Sequence, residues 1–147
     1  MQKKDRRLPE LLSPAGSYDA LRAAIEGGAD AIYVGSTAFN ARMRAKNFGE
    51  DELKKGIELA HTYGVKVYIA ANTLIYDREL DDYLRAAERA YLLGADAMII
   101  ADIGAASEVK RRVPIELHAS TQASGHNVEA AKRLYEMGFS RMVLARE

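Results

Sequence analysis

Cysteine and tryptophan are absent from the 147 residues, and proline occurs three times. Without cysteine these residues can form no disulfide, present no thiolate nucleophile and ligate neither a zinc–thiolate site nor an iron–sulfur cluster. That usage agrees with an intracellular setting, and a cytoplasmic location is expected. Charge of one sign is also lacking, because 21 lysines and arginines balance 21 aspartates and glutamates. No global field therefore draws the chain to nucleic acid or to an anionic membrane, and any nucleic-acid contact has to come from a local patch. No apolar run approaches the length of a membrane span. The charged start, Met1-Gln2-Lys3-Lys4-Asp5-Arg6-Arg7, leads only into Leu8-Pro9-Glu10-Leu11-Leu12, which is too short and interrupted for a signal sequence.

What is present is a regular alternation. Short apolar, β-rich runs lie at roughly 10–13, 30–35, 66–73, 97–102, 115–121 and 141–145, with helix-period segments between them. Leu21, Ala24, Ile25 and Gly28 follow helical spacing, as do Leu80, Leu84, Ala87 and Tyr91, and more loosely Leu53, Ile57, Ala60 and Gly64. Ser17, Asp77 and Asn127 are candidate N-caps, while Glu50, Asp51 and Glu52 place negative charge at the start of the second helix. Gly28-Ala29-Asp30-Ala31-Ile32-Tyr33-Val34 is echoed by Gly94-Ala95-Asp96-Ala97-Met98-Ile99-Ile100, with weaker copies from Gly64 and Gly138. Each of these glycines ends a helix before a strand, the reverse of the order a phosphate loop requires. The pattern predicts an α/β fold of the parallel (β/α) TIM-barrel type, with about six strands and five helices. A closed eight-stranded barrel takes about 250 residues, so residues 1–147 are expected to form the N-terminal part of a single barrel domain, incomplete and truncated. An uncovered strand edge would allow self-association.

In this architecture ligands bind where strands end. The fifth strand is the most informative, since Ile115, Leu117 and Ala119 alternate with Glu116, His118, Ser120 and Gln122. The apolar set should face the helices and the polar set the barrel interior. Candidate substrate-binding residues at the strand ends are Asn72, Asp102, His118, Ser120, Gln122, Arg146 and Glu147. Asn72 and Asp102 can equally serve as turn or helix caps, and His118 as a structural, substrate-binding or metal-ligating group. No metal site is expected: the histidines are three, at 61, 118 and 126, and no H-E-x-x-H occurs. His126 is expected in the loop before the fifth helix. A Ser120/His118/Asp102 triad is disfavoured, because residues two apart on one strand diverge from nucleophile–base contact. No catalytic residue is assigned.

The stretch from Ser36 to Gly49 is long for a βα loop and interleaves Phe39 and Phe48 with Arg42, Arg44 and Lys46. It is either a solvated loop over the barrel top or a patch that meets phosphate and stacks on bases.

Five colinear segments carry a resemblance. They are Glu10-Leu11-Leu12-Ser13-Pro14-Ala15-Gly16-Ser17, Gly28-Ala29-Asp30-Ala31-Ile32-Tyr33-Val34-Gly35, Asn72-Thr73-Leu74, His118-Ala119-Ser120-Thr121-Gln122 and Val143-Leu144-Ala145-Arg146-Glu147. Together they resemble the N-terminal half of the collagenase-like U32 peptidases. The resemblance implies a TIM-barrel-like domain in a family that includes proteins hydroxylating tRNA or rRNA bases and quinones. It also implies that any iron–sulfur cluster would be held by cysteines outside these residues. The expected partner is a small-molecule or RNA substrate, with no membrane. The expected role is the substrate-binding part of an RNA-base hydroxylating enzyme; the alternatives are a peptidase acting on collagen-like peptides and a non-catalytic incomplete barrel.

Overall fold

The structure is a computed structural model that describes residues 9–36, 38–40 and 48–146. The predicted alternation is present: β1 (Leu12–Pro14), α1 (Tyr18–Glu26), β2 (Ala31–Gly35), α2 (Glu50–Thr62), β3 (Lys66–Ala71), α3 (Leu80–Leu92), β4 (Ala97–Ile100), α4 (Ile103–Arg112), β5 (Glu116–Ala119), α5 (Val128–Glu136) and β6 (Arg141–Met142). All six strands are parallel and stand in the sheet in chain order. Sequential parallel strands joined through helices are the winding of a barrel, and the sheet curls into a half-barrel with the helices outside.

Side-chain alternation divides the sheet into two faces. Ile32, Val34, Val67, Ile69, Met98, Ile100, Leu117 and Ala119 pack outward against Leu21, Ile57, Ala60, Tyr83, Leu84, Ala87, Val109 and Leu134 of the helices. The inner face carries a smaller cluster of Ala31, Tyr68, Ala70, Ala97 and Ile99, with Leu12 and Tyr33 beside it. The helix stripes read from the sequence are the ones buried, since a helix covering a sheet can hide only one side.

The echoed glycine motif has a mechanical role. Gly28, Gly64, Gly94 and Gly138 all have positive φ, which closes each helix, and two residues later the chain enters the sheet. There the backbone N–H of Asp30, Asp96 and Ser140 donates to the carbonyls of Leu11 just before β1, Val67 on β3 and Leu117 on β5, each at 2.9 Å. The aspartate copies add a second bond: Asp30 accepts from the N–H of Leu11 and Asp96 from that of Val67, both at 2.7 Å. Each repeat is thereby pinned to the strand before it, which sets the register of successive βα units.

Ser17 and Asn127 cap α1 and α5 by accepting from the N–H of Ala20 and Ala130. Asp77 does not cap α3 as expected. It opens a 3-10 turn over Asp77–Glu79, and Glu79 stands at the cap position. Tyr76, which precedes the turn, donates its N–H to the Glu79 carboxylate at 2.8 Å, and the cap position lies two residues downstream of the place read from sequence. The fifth strand stops at Ala119, short of the predicted boundary, because Ser120 caps a 3-10 turn at Thr121–Ala123.

Gly94→Ala forces an L side chain into the left-handed region at φ 94° and brings its Cβ within 3.5 Å of Ile57. Chemical denaturation is expected to show a loss of about 1–2 kcal/mol relative to the unsubstituted protein; an unchanged midpoint would contradict the closing role of this glycine.

Candidate functional site

At the C-terminal ends of the strands a cavity of about 560 Å³ opens on the inner face of the half-barrel. Its inner walls are Leu12, Tyr33, Gly35, Ala70 and Ile99, and its polar groups include Asn40, Asn72, Ser120, Gln122 and Arg146. Barrel interiors are ordinarily filled by layers of bulky branched side chains. Here Gly35 and Ala70 stand at inward positions of neighbouring strands, and their missing side-chain volume leaves the space. Four of the residues picked from sequence, Asn72, Ser120, Gln122 and Arg146, are brought together. Ser120 is buried to 2% exposure. Its hydroxyl accepts from the Gln122 N–H at 3.2 Å and, at 3.4 Å, from the Asn72 amide. The turn after β5 and the end of β3 are thus joined across β4 by side chains that face the cavity.

Two picked residues are not in its lining. Asp102 caps α4, accepting from the Ala105 N–H at 2.9 Å, and its other oxygen accepts from the Ile75 N–H at 3.2 Å. It therefore holds the loop after β3 against α4. His118 points into the interior as the alternation required, but one layer deeper, and is 1% exposed. Glu147 and the basic residues Arg42, Arg44 and Lys46 lie outside the described residues. Ser120 and His118 make no contact with each other in the bonds described: Ser120 faces Asn72 and Gln122, whereas His118 Nε2 donates to Glu116 at 3.1 Å. Among the described residues no cluster of three histidines, aspartates or glutamates is placed to hold a metal.

Beneath the cavity lies a polar layer of which sequence reasoning found only the β5 members, Glu116 and His118. Arg141, at the start of β6, pairs with Glu10, just before β1, at 2.5 Å, so the contact spans the two edges of the sheet. Tyr68, from the middle of the sheet, donates to the same carboxylate at 3.0 and 3.1 Å. The Arg141 guanidinium stands 5.4 Å from the Tyr68 ring centre, and the His118 ring meets Tyr68 edge-on at 4.7 Å. Glu116 also accepts from Ser140 at 2.6 Å. The signal for this layer was available: Tyr68, His118 and Arg141 all occupy inward strand positions, and polar residues there need partners.

These contacts shift the groups in directions set by their surroundings. The Arg141 hydrogen bond holds the Glu10 carboxyl below the ordinary carboxylate value, and the Ser140 hydroxyl, followed by His118, does so for Glu116. Burial, then the bond to Glu10, pushes Tyr68 up to about 12. Burial also lowers His118 from the ordinary 6.5, against the pull of Glu116, and so favours the neutral ring.

A second cavity, of about 440 Å³, lies between α2 and α3, with Phe39, Phe48, Leu53, Ile69 and Leu93 among its walls. It gathers none of the seven candidate substrate-binding residues; Gly35 and Ser36 at the end of β2 share its lining with Phe39 and Phe48 of the aromatic–basic segment, and Ile69 places it on the outer, helix-facing side of the sheet.

The chain is similar to proteins of known family and structure. Residues 16–147 match Peptidase family U32. A 23S rRNA 5-hydroxycytidine synthase of Escherichia coli is 43% identical over 139 residues, which is 94% of this chain and 21% of that protein. A tRNA hydroxylation protein of Bacillus subtilis is 38% identical over 95% of this chain and 33% of its own length. A collagenase of Porphyromonas gingivalis is 38% identical over 94% of this chain and 33% of its own. A U32 peptidase of known structure superposes with a TM-score of 0.74 at 16% identity, over 98% of this chain and 61% of that one, which shows the shared fold. The chain spans about a fifth to a third of the length of these curated relatives. Among the described residues no helix is long and apolar enough to cross a membrane.

Lowering the pH tests the buried layer. His118 has a depressed folded value, so the unfolded chain binds the proton first. Stability is expected to be full above the ordinary value of 6.5 and to be lost as the pH falls through it toward the lowered folded value, with a flatter profile in His118→Gln. Identical pH dependence of denaturation in the two proteins would show that His118 is not held neutral. The match over residues 16–147 and the relatives' identities establish that the chain belongs to Peptidase family U32.

Proposed function

We propose that this chain is the substrate-binding, N-terminal part of a U32 protein that hydroxylates an RNA base, working in the cytoplasm. The observation that carries the reading is the cavity at the strand ends, where amide, hydroxyl and guanidinium groups from Asn72, Ser120, Gln122 and Arg146 converge over an apolar floor. Amides offer donors and acceptors together, which is the complement a heterocyclic base presents, and Arg146 adds a group for a phosphate. The relatives named for rRNA and tRNA hydroxylation support the same reading.

In this account the residues bind and orient, and the oxidation comes from elsewhere. The chain has no cysteine, so its residues do not fit an iron–sulfur cluster, and no step is routed through one. Ser120 and Asn72 fix the upper wall, Gln122 and Arg146 meet the ligand at the rim, and Tyr33 and Ile99 exclude water from below.

A peptidase is the second reading, favoured by the collagenase relative. Peptide hydrolysis needs a nucleophile in contact with a base, or a metal-bound water. Ser120 is engaged by Asn72 and Gln122, so a peptidase reading would place the chemistry outside the described residues.

Mass spectrometry of nucleosides from total RNA decides between the two. Deleting the gene is expected to remove one hydroxylated nucleoside, restored by the gene but reduced at least about tenfold when it carries Asn72→Ala together with Arg146→Ala. An RNA nucleoside profile unchanged by the deletion, with gelatin cleaved by the purified whole protein, would replace the hydroxylase reading by the peptidase one.

A further inference from the structure

What part of an RNA enters the cavity follows from its walls. A space of about 560 Å³ lies within the range of small-ligand sites, about 300–1,000 Å³. It has room for one base and its sugar. The floor contributes a flat aromatic ring, Tyr33, beside the branched side chains of Leu12 and Ile99. Gly35 and Ala70 keep that floor low. The polar groups stand on one side, from the end of β3 and the turn after β5: the Asn72 amide, the buried Ser120 hydroxyl to which it donates, and the exposed Gln122. Asn40, 6% exposed, adds a buried amide to the lining. Among the described residues the lining holds one cationic side chain, the exposed Arg146, and its other polar groups are neutral amides and hydroxyls, which suit a neutral polar ring.

We infer that the cavity receives a single unstacked RNA base, read along its hydrogen-bonding edge by Asn72 and Gln122 above Tyr33, while Arg146 takes a neighbouring phosphate. The inference rests on the proposed function and deepens it. The substrate is then a base in a loop, a bulge or a free end, or one extruded from its stack, because a paired base hides the edge that the amides read. Gln122 acts as a specificity-determining residue, and Ser120 as a positioning residue that holds the Asn72 amide.

Binding of the whole protein to a short single-stranded RNA carrying one pyrrolocytidine, followed through that base's fluorescence, tests this. The fluorescence is expected to change on binding, and the same RNA annealed to its complement to bind at least about tenfold more weakly. Asn72→Leu and Gln122→Leu should each weaken single-strand binding about tenfold. Because Gln122 is exposed, its substitution leaves the packing intact. Arg146→Gln should weaken binding evenly across sequences and reduce the salt slope by about one. Equal affinity for strand and duplex, an unchanged fluorescence, or wild-type affinity in Gln122→Leu overturns the inference. Its failure is separable from that of the hydroxylase reading. A gene-dependent hydroxylated nucleoside that persists at full level in Gln122→Leu removes the base pocket alone, whereas base binding intact with no gene-dependent nucleoside removes the hydroxylase reading alone.

Discussion

Glu10 and Arg141 stand on opposite edges of a six-stranded sheet, and the ion pair between them is the contact that records its curvature. A flat parallel sheet in chain order would hold its first and last strands far apart, since neighbouring strands lie about 4.8 Å from one another. Here the strands bend around an interior narrow enough for one arginine and one glutamate to bridge it, with the Tyr68 hydroxyl bonded to the same carboxylate. The pair is partly exposed, with side chains at 35% and 25%, so solvent screens it and its contribution to stability is modest. Its structural consequence is larger. With the lower end of the interior bridged by Arg141, Tyr68 and His118, the space above it becomes a cavity with a floor rather than an open trough.

The cavity in turn depends on the two-residue period of the strands. On β3 the inward series runs Tyr68, Ala70 and then Asn72 just past the strand end, and on β5 it runs Glu116, His118 and then Ser120. Each series passes from the bonded lower layer, through small or ring side chains, to a polar group at the mouth. The same period sends Val67, Ile69, Leu117 and Ala119 outward into the helix layer, where their burial holds the scaffold. One repeated device keeps these registers: the residue two after each closing glycine donates its N–H to the strand before. A one-residue slip at Asp96 would exchange the inward and outward sets of β4 and place Met98 where Ile99 lines the cavity.

The element order, the outward and inward faces and four of the cavity residues were legible in the sequence because each rests on local periodicity. Ser17 and Asn127 were legible as caps for the same reason. Asp77 was not, because the choice between Asp77 and the later Glu79 turns on a 3-10 turn that side-chain chemistry alone does not announce. Asp102 carried two readings from the sequence, and the structure places it as a cap that also ties down the β3 loop. The Glu10–Arg141 pair joins residues 131 apart, and no local pattern marks a contact that exists only once the sheet has curled. His118 was correctly placed inward, yet its depth depends on where β5 starts and ends relative to β4, a matter of register and not of alternation.

Under the proposed function, the strand-end cavity is the place where this U32 chain meets RNA. Photocrosslinking of the whole protein to single-stranded RNA carrying 4-thiouridine, with the attached peptides located by mass spectrometry, measures that directly. Crosslinks concentrated in the peptides that contain Tyr33, Asn72 and Gln122 are the predicted result. Crosslinks confined to peptides away from these strand ends, or none at all, would contradict it.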